Sequence, residues 1–286
     1  MPSLIDIRRR IRSVKNTQQI TKAMKMVSAA KLRRAQERAV ASRPYAEMMG
    51  RVLSNVAAAA AGNQEMAELK LLQVREEKRI QLIVVGSDRG LAGAFNANLF
   101  RMVQRFVDDH RGADIRVETI GRKSRDYFRK RNFTATGEHI GIIERPTYEQ
   151  GAEIAAKMIE LYNNAEVDAV YIAVNEFKSV MAPTLAIKRI LPVEVPQSGD
   201  RIDYIYEQPP AELLGELLPR YVEMSIYRAM LESVSAEHAA RMTAMETASS
   251  NAGDVIQELT LNMNRVRQAS ITREIIEIVS GASAAG

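Results

Sequence analysis

The chain has 286 residues, of which 46% are hydrophobic and 26% are charged, a balance typical of a soluble protein with an apolar core. It has no cysteine and only three histidines, which excludes disulfides and thiolate metal sites and makes a histidine-based metal site unexpected. The net charge of +5 is uneven, because residues 1–43 hold twelve Lys and Arg against two acidic residues and the remaining chain is net negative.

The start of the chain carries no recognisable targeting signal. MPSLIDIRRRIRSVK has no apolar core followed by a cleavage site, so we do not expect a secretory signal. The basic helical pattern also continues too far for a mitochondrial transit peptide. No apolar run approaches the roughly 20 residues that a membrane-spanning helix needs. From these features alone we expect a cytoplasmic protein.

The first 55 or so residues predict one very long helix, interrupted only by Pro44, at which we expect a kink. At ~1.5 Å of rise per residue it would span about 75 Å. Its coiled-coil seam, spaced by three and four residues, is Leu4, Ile7, Ile11, Val14, Gln18 and Thr21. Because a straight helix drifts against a seven-residue repeat, we expect a second stripe to take over the seam. That stripe is Ile20, Met24, Val27 and Ala30. Gly62-Asn63 should end the helix.

Residues 79–191 alternate between predicted strands and helices. RIQLIVVG, IRVETIG and VDAVYIAVNEF predict buried strands, and residues 133–140 a weaker one. VMAPTLAIKRILPV predicts an edge strand, because Pro183 cannot donate a ladder hydrogen bond. Helices are predicted from GSDRGLAGAFN to about Asp109, over RKSRDYFRKR, and from Tyr148 to about Asn164. The alternation predicts a parallel, doubly wound, Rossmann-like α/β domain.

The segment from Ala211 to about Ser280 predicts a second very long helix, on the order of 100 Å, ending near Gly281. A stripe of small residues would let another helix approach closely: Ser225, Ala229, Ser233, Ala236, Ala240 and Thr243. Residues 212–286 are net negative, which favours pairing with the basic first helix. We therefore predict an antiparallel coiled coil of residues 1–62 and 211–286, with the α/β domain at 63–210.

The turn from Gly86 to Gly93 lies where doubly wound folds bind phosphates. Its spacing is neither G-x-G-x-x-G nor a P-loop, which favours a tight structural turn over a nucleotide site. We expect its exposed Asp88 and Arg89 to contact a partner protein. A hydrolase triad through Ser87 is disfavoured because the G-x-S-x-G elbow is missing. We predict no catalytic residue, cofactor or metal ligand.

The basic first helix indicates an acidic partner. Nucleic acid is one alternative, but residues 1–44 offer no aromatic side chain for base stacking. The basic residues also surround the helix instead of lying on one face. An acidic protein surface is the favoured partner, and nucleic acid is the open alternative.

Three separated motifs resemble one known family. They are IRRRIRSVKNTQQITKAMKMVSAAKLRRAQ at 7–36, SDRGLAGAFN at 87–96 and NRVRQASITREIIEIVSGASA at 264–284. In this order they closely resemble the gamma subunits of bacterial F-type ATP synthases. The resemblance implies a non-catalytic, central-stalk rotor that couples proton flow to ATP synthesis. Its long helices would turn inside a hexamer of alpha and beta subunits, above an α/β domain resting on the epsilon subunit and the c-ring.

The resemblance also implies contact residues and a location. Arg267 and Gln268 match a pair that contacts a catch loop of beta, and Lys22, Met24 and Lys25 would face the acidic lever of beta. Motif position extends the contact set to Arg9, Arg10 and Arg265. A subunit of this kind is expected as a peripheral protein on the cytoplasmic side of the cell membrane.

Overall fold

Long helices begin and end the chain, and a mixed sheet lies between them in sequence. The computed structural model describes residues 3–60, 64–177, 183–195 and 207–284. The helices of this part are α1 (Leu4–Ala60), α2 (Gln64–Glu68), α3 (Phe95–Asp109), α4 (Arg122–Arg129), α5 (Tyr148–Asn163) and α6 (Pro210–Ala284). Its strands are β1 (Arg79–Val85), β2 (Asp114–Ile120), β3 (Ala135–His139), β4 (Ala169–Phe177) and β5 (Pro183–Leu191). A short 3₁₀ turn covers Lys70–Leu72.

The two terminal helices are confirmed as very long, at 57 and 75 residues. α1 continues through Pro44 up to Ala60, so the proline does not end it. The predicted end signal at Gly62-Asn63 lies outside the described residues. The predicted end of α6 at Gly281 is wrong, since the helix continues to Ala284; a single glycine costs a helix only about 1 kcal/mol relative to alanine.

The sheet has the strand order β3-β2-β1-β4-β5 among the described residues. β1, β2, β3 and β4 pair in parallel, which confirms the doubly wound prediction for these strands. For β5 the parallel prediction is wrong, because β5 pairs antiparallel with β4. The few residues between β4 and β5 cannot form a parallel crossover, which needs a dozen or more. β5 lies at the sheet edge and begins at Pro183, as predicted.

Helices cover both faces of the sheet. Leu82 and Val84 of β1 pack in one apolar cluster with side chains of α3 and α4, while Ile83 and Val85 pack in another with side chains of α5 and α6. The second cluster also contains Leu53 and Val56 of α1, Leu214, Leu218 and Val222 of α6, and Ile154 and Met158 of α5. Burial on both faces explains the continuous apolar sequence of β1.

The chain divides into two compact units, residues 1–28 with 241–286 and residues 29–240. The larger unit thus holds the sheet together with the second half of α1 and the first part of α6. At its strand starts, Arg79 of β1 donates two side-chain hydrogen bonds to Asp168, of 3.1 and 2.7 Å, and its backbone N–H donates a third of 2.9 Å. This arrangement fixes β1 against the beginning of β4.

Candidate partner-contact surfaces

The smaller unit is an antiparallel pair of helices, residues 4–28 of α1 and 241–284 of α6, called the helix pair below. The Gln18 side-chain amide donates to the backbone carbonyl of Ser249 at 3.2 Å. Seven residues further along α1, Lys25 forms an ion pair with Glu246 of α6. A Cβ on Gly253 would lie 3.2 Å from the Gln18 amide nitrogen, so glycine permits the close approach here. The contacts confirm the predicted antiparallel pairing within this unit.

One seam continues along α1 through the helix pair. Ile7, Thr21 and Ser28 are buried at spacings of seven or its multiples, and Gln18 is half-buried. The prediction that Ile20, Met24, Val27 and Ala30 take over the seam is wrong, since Ile20 is 59% and Val27 56% exposed. Polar side chains hold the original register instead: the Thr21 hydroxyl donates to Gln18 O at 3.0 Å and the Ser28 hydroxyl to Met24 O at 2.8 Å. Ile20 and Val27 of the second stripe therefore face outward, while Met24 is half-buried.

Lys22, Met24 and Lys25 lie on one turn of this outward-facing region. Lys22 is exposed, whereas Met24 and Lys25 are half-buried. Lys25 is engaged by Glu246, and none of the described ion pairs includes Lys22. The turn thus combines a charged side chain, an adaptable thioether and the neighbouring exposed Val27, which can contact an acidic surface with apolar margins.

The remaining predicted contact residues are exposed near the other end of the helix pair. Arg9 and Arg10 are exposed on α1, and Arg265, Arg267 and Gln268 are exposed on α6. None of the described ion pairs includes these four arginines, so their guanidinium groups can accept partner carboxylates. The register of Gln18 with Ser249 places the start of α1 level with α6 near Arg265. Arg267 therefore lies roughly 30 Å along the pair from Lys22, and the structure forms two separate groups.

Large apolar side chains follow Gln268 on α6. Ile271, Ile275 and Ile278 are exposed by 48%, 55% and 71%. Projecting the register of the helix pair leaves no residue of α1 opposite these three side chains, so they lie beyond the paired stretch. An exposed apolar row of this length is typical of a surface covered by another protein.

Asp88 and Arg89 lie in the turn after β1, and both have partners within their own unit. The Asp88 carboxylate accepts hydrogen bonds from the backbone N–H of Arg122, at 2.9 Å, and of Gly141, at 3.0 Å. The first of these places a negative charge at the start of α4, where the helix dipole favours it. The exposed Arg89 guanidinium lies 2.8 Å from the Glu144 carboxylate. Asp88 is therefore a structural residue of the turn, and Arg89 presents an ion pair at the surface.

The glycine turn itself does not form an open phosphate site. In this strand order the crevice at which ligands bind lies between β1 and β4. Here the Ser233 hydroxyl of α6 donates to Val85 O at 3.2 Å, and Ala236 packs against Ala92 and Phe95. The first part of α6 thus fills the place where a dinucleotide lies in other doubly wound folds.

Sequence analysis missed a buried ionic cluster on β2, β3 and α5. The fully buried Glu118 carboxylate accepts hydrogen bonds from Lys157 Nζ at 2.8 and 3.0 Å, from the Thr136 hydroxyl at 2.6 Å, and pairs with His139 Nε2 at 2.8 Å. Burial raises the pKa of Glu118, but the hydrogen bonds from His139, Lys157 and Thr136 outweigh it and lower the pKa to about 2. Because β2 also carries Asp114, Arg116 and Thr119, its strand pattern did not single out Glu118.

Neither a metal site nor a membrane span is found in the described residues. No group of three or more His, Asp or Glu side chains there could hold a metal ion. No helix among those residues is both long and apolar enough to cross a bilayer.

Sequence comparisons agree over the whole chain. The family model described as ATP synthase matches residues 3–285. An ATP synthase gamma chain of Solibacter usitatus is 61% identical over 285 residues, which is 100% of both chains. Another, from an Anaeromyxobacter species, is 49% identical over 99% of both chains.

Two solved structures share the fold at low sequence identity. A chain of the Euglena gracilis mitochondrial ATP synthase OSCP/F1/c-ring assembly, in rotational state 3, gives a TM-score of 0.68 at 20% identity. The match covers 98% of this chain and 94% of the other. A chain of the rotor of the same synthase, in rotational state 1, gives a TM-score of 0.65 at 20% identity. This match covers 94% of this chain and 98% of the other.

Proposed function

The chain belongs to the ATP synthase gamma-chain family, and on that premise we propose how its parts divide the work of a rotor. As a gamma subunit it is one component of the synthase and not a catalyst by itself. We propose that it turns within a hexamer of alpha and beta subunits, and that the epsilon subunit and the c-ring drive it. The solved neighbours whose names include the rotor, F1 and the c-ring support this proposal.

The observation that carries the proposal is the surface of the helix pair. Its seam buries Ile7, Thr21 and Ser28, whereas its outer surface carries cations that no described ion pair includes. A rotor shaft needs this combination. Water and salt screen exposed charges, so ion pairs between the shaft and its partner subunits orient the shaft but hold it only weakly. The basic helix is proposed to face acidic protein surfaces of beta, and not nucleic acid.

Two contact groups are proposed along this surface. Arg267 and Gln268, exposed on α6, engage a catch loop of beta through charge-assisted hydrogen bonds. About 30 Å further along, Lys22, Met24 and Lys25 face an acidic lever of beta. Arg9, Arg10 and Arg265 extend the first group toward the start of α1. Because the groups are separated, each can engage a different region of beta at one rotational position.

The sheet domain is proposed as the foot of the rotor. We assign residues 63–210 to this foot and residues 1–62 and 211–286 to the shaft. Arg89, in the turn after β1, is proposed as a foot residue that contacts a protein partner, and the neighbouring Asp88 supports its position. As part of the membrane-bound synthase, the chain is proposed to lie peripherally on the cytoplasmic side and to reach the membrane only through the c-ring.

The catch group can be tested in a reconstituted synthase. The double substitution R267A/Q268A should lower ATP synthesis and torque, because two exposed contacts are removed, while leaving the melting temperature of the subunit unchanged. Single-molecule rotation and proton-driven ATP synthesis measure the effect. The matched control is Q104A/R105A, the same two residue types on α3, which should leave torque unchanged. Unchanged torque and synthesis in R267A/Q268A would refute the assigned contact.

The proposed partner class can be tested with the isolated chain. A labelled DNA duplex or RNA should show only salt-sensitive, sequence-independent association with the basic helix. Sequence-specific binding at physiological salt would favour the nucleic-acid alternative over acidic protein surfaces.

A further inference from the structure

A cluster of four cations surrounds a small cavity in the larger unit, and none of them belongs to either contact group. The cavity, about 200 Å³, is called the basic cleft. Its cationic residues are Lys31, Arg34, Arg38 and Arg145. Its apolar floor consists of Ala35, Leu231 and Val234, all buried. The cleft therefore has a basic rim above an apolar floor.

The first three cations lie on one face of α1. Their positions, 31, 34 and 38, are spaced by three and four residues, which brings side chains together on a helix. Arg145 approaches from the connection before α5 and is followed by the buried Pro146. Two separate segments of chain thus supply positive charge to one cavity.

None of the described ion pairs includes Lys31, Arg34, Arg38 or Arg145. The one acidic residue lining the cleft, Glu144, is held by Arg89 at 2.8 Å. Like charges gathered without a counter-charge repel each other, and a bound anion removes that repulsion. Guanidinium groups also offer paired N–H donors that match phosphate oxygens.

We propose that the basic cleft binds a small phosphate anion of one or two phosphoryl groups. Its volume is below the roughly 300–1,000 Å³ of pockets that enclose drug-sized ligands. Whole nucleotides therefore do not fit inside, and a nucleotide could place only its phosphates there. The cleft does not depend on the proposed rotor function, because it lies within the unit of residues 29–240 and its cations belong to neither contact group.

Calorimetric titration of the full chain with sodium pyrophosphate at low salt tests the proposal. We expect saturable binding of one anion per chain, weakened by added salt. R34Q/R38Q should weaken it at least about tenfold, since each charge-assisted hydrogen bond contributes that much to affinity. The matched control is R33Q, on the adjacent face of the same helix, where Arg33 pairs with Glu37. It should change the affinity less than about twofold.

Two further arms separate a built site from its alternatives. R34K/R38K keeps the charge but loses the guanidinium fork, and should weaken binding several-fold. ADP should bind no more than about threefold tighter than pyrophosphate if only its phosphates enter the cleft. A melting temperature equal to that of the wild type confirms that each variant is folded. Four results would each overturn the proposal. The first two are no saturable binding of pyrophosphate and an equal loss of affinity in R33Q and R34Q/R38Q. The other two are binding by R34K/R38K that is as tight as that of the wild type and binding of ADP that is much tighter than that of pyrophosphate.

Discussion

Replacing Glu118 by Gln should destabilise the sheet domain in a pH-dependent way. The substitution keeps the size of the side chain and removes the charge that Lys157 and His139 compensate. A pKa near 2 in the folded chain, against 4.5 for an unperturbed glutamate, corresponds to about 3 kcal/mol of free energy of unfolding at pH 7. Lys157 keeps a hydrogen bond to Thr136 O at 2.7 Å and partial access to water. The substitution therefore leaves no isolated buried cation.

The sign of the pH dependence follows from the lowered pKa. The ionised carboxylate contributes its full stabilisation above about pH 5 and loses it as the pH falls toward 2. E118Q resembles the protonated wild type throughout, so the difference between the two should fall from ~3 kcal/mol at pH 7 to ~1 kcal/mol at pH 3. Urea unfolding of the full chain at several pH values measures it. Tyrosine fluorescence is a suitable signal, because all nine tyrosines lie between residues 45 and 227.

The matched control for this experiment is E138Q. Glu138 lies on β3 beside the cluster, and its carboxylate is 3.5 Å from the Arg129 guanidinium at the surface. An exposed pair of this kind contributes at most about 1 kcal/mol, so E138Q should change stability little. A difference for E118Q below ~1 kcal/mol at pH 7, or one that does not change between pH 7 and pH 3, would refute the reasoning.

Two further substitutions test the turn after β1. G121A should cost at least ~2 kcal/mol, because Gly121 has a φ of +93° and an added Cβ would lie 2.6 Å from the carbonyl oxygen of Gly86; urea unfolding measures it. D88A should cost ~1–2 kcal/mol, because the backbone N–H groups of Arg122 and Gly141 lose their acceptor; the melting temperature of the isolated chain measures it.

Each of these substitutions has a control in the same unit. G112A should be tolerated within ~0.5 kcal/mol, since a Cβ at Gly112 meets no atom within 4 Å. D109A, on an exposed aspartate at the end of α3, should likewise change stability little. If G121A is as stable as G112A, the strain argument fails. If D88A has the same melting temperature as the wild type, the Asp88 carboxylate does not stabilise the turn.

Much of the fold could be predicted because the local signals agree with the long-range arrangement. The apolar run of β1, the proline at the start of β5 and the absence of prolines after Pro219 in α6 each determine one element without reference to the rest. The orientation of β5 was missed because a strand pattern does not encode pairing direction, whereas the length of the connection from β4, too short for a parallel crossover, does. The second stripe on α1 was misread because the seam continues through two polar residues, Thr21, which was predicted, and Ser28, seven positions on. Their hydroxyls bond within the helix, so they pack in the seam as small residues.

The contact residues could be proposed from motif position but not from physical pattern. Nothing in the local sequence separates Arg9 and Arg10 from the other cations of α1, because burial and pairing depend on α6, more than 200 residues away. The same limit applies to Glu118, whose partners come from β3 and α5. Periodicity predicts which face of an element is apolar. It does not predict which polar residues from distant segments meet.

In this chain α6 occupies the crevice in which other Rossmann-like sheets hold a nucleotide. A doubly wound sheet leaves a gap where neighbouring crossovers leave in opposite directions, and ligands occupy that gap in enzymes of this architecture. In this chain the gap is closed by α6, through the Ser233 hydroxyl on Val85 O and Ala236 against Ala92 and Phe95. A larger side chain at Ala236 would have to displace the turn after β1. The residues that could have cradled a phosphate instead attach a long helix to a rigid sheet, and such an attachment is what a torque-bearing rotor requires.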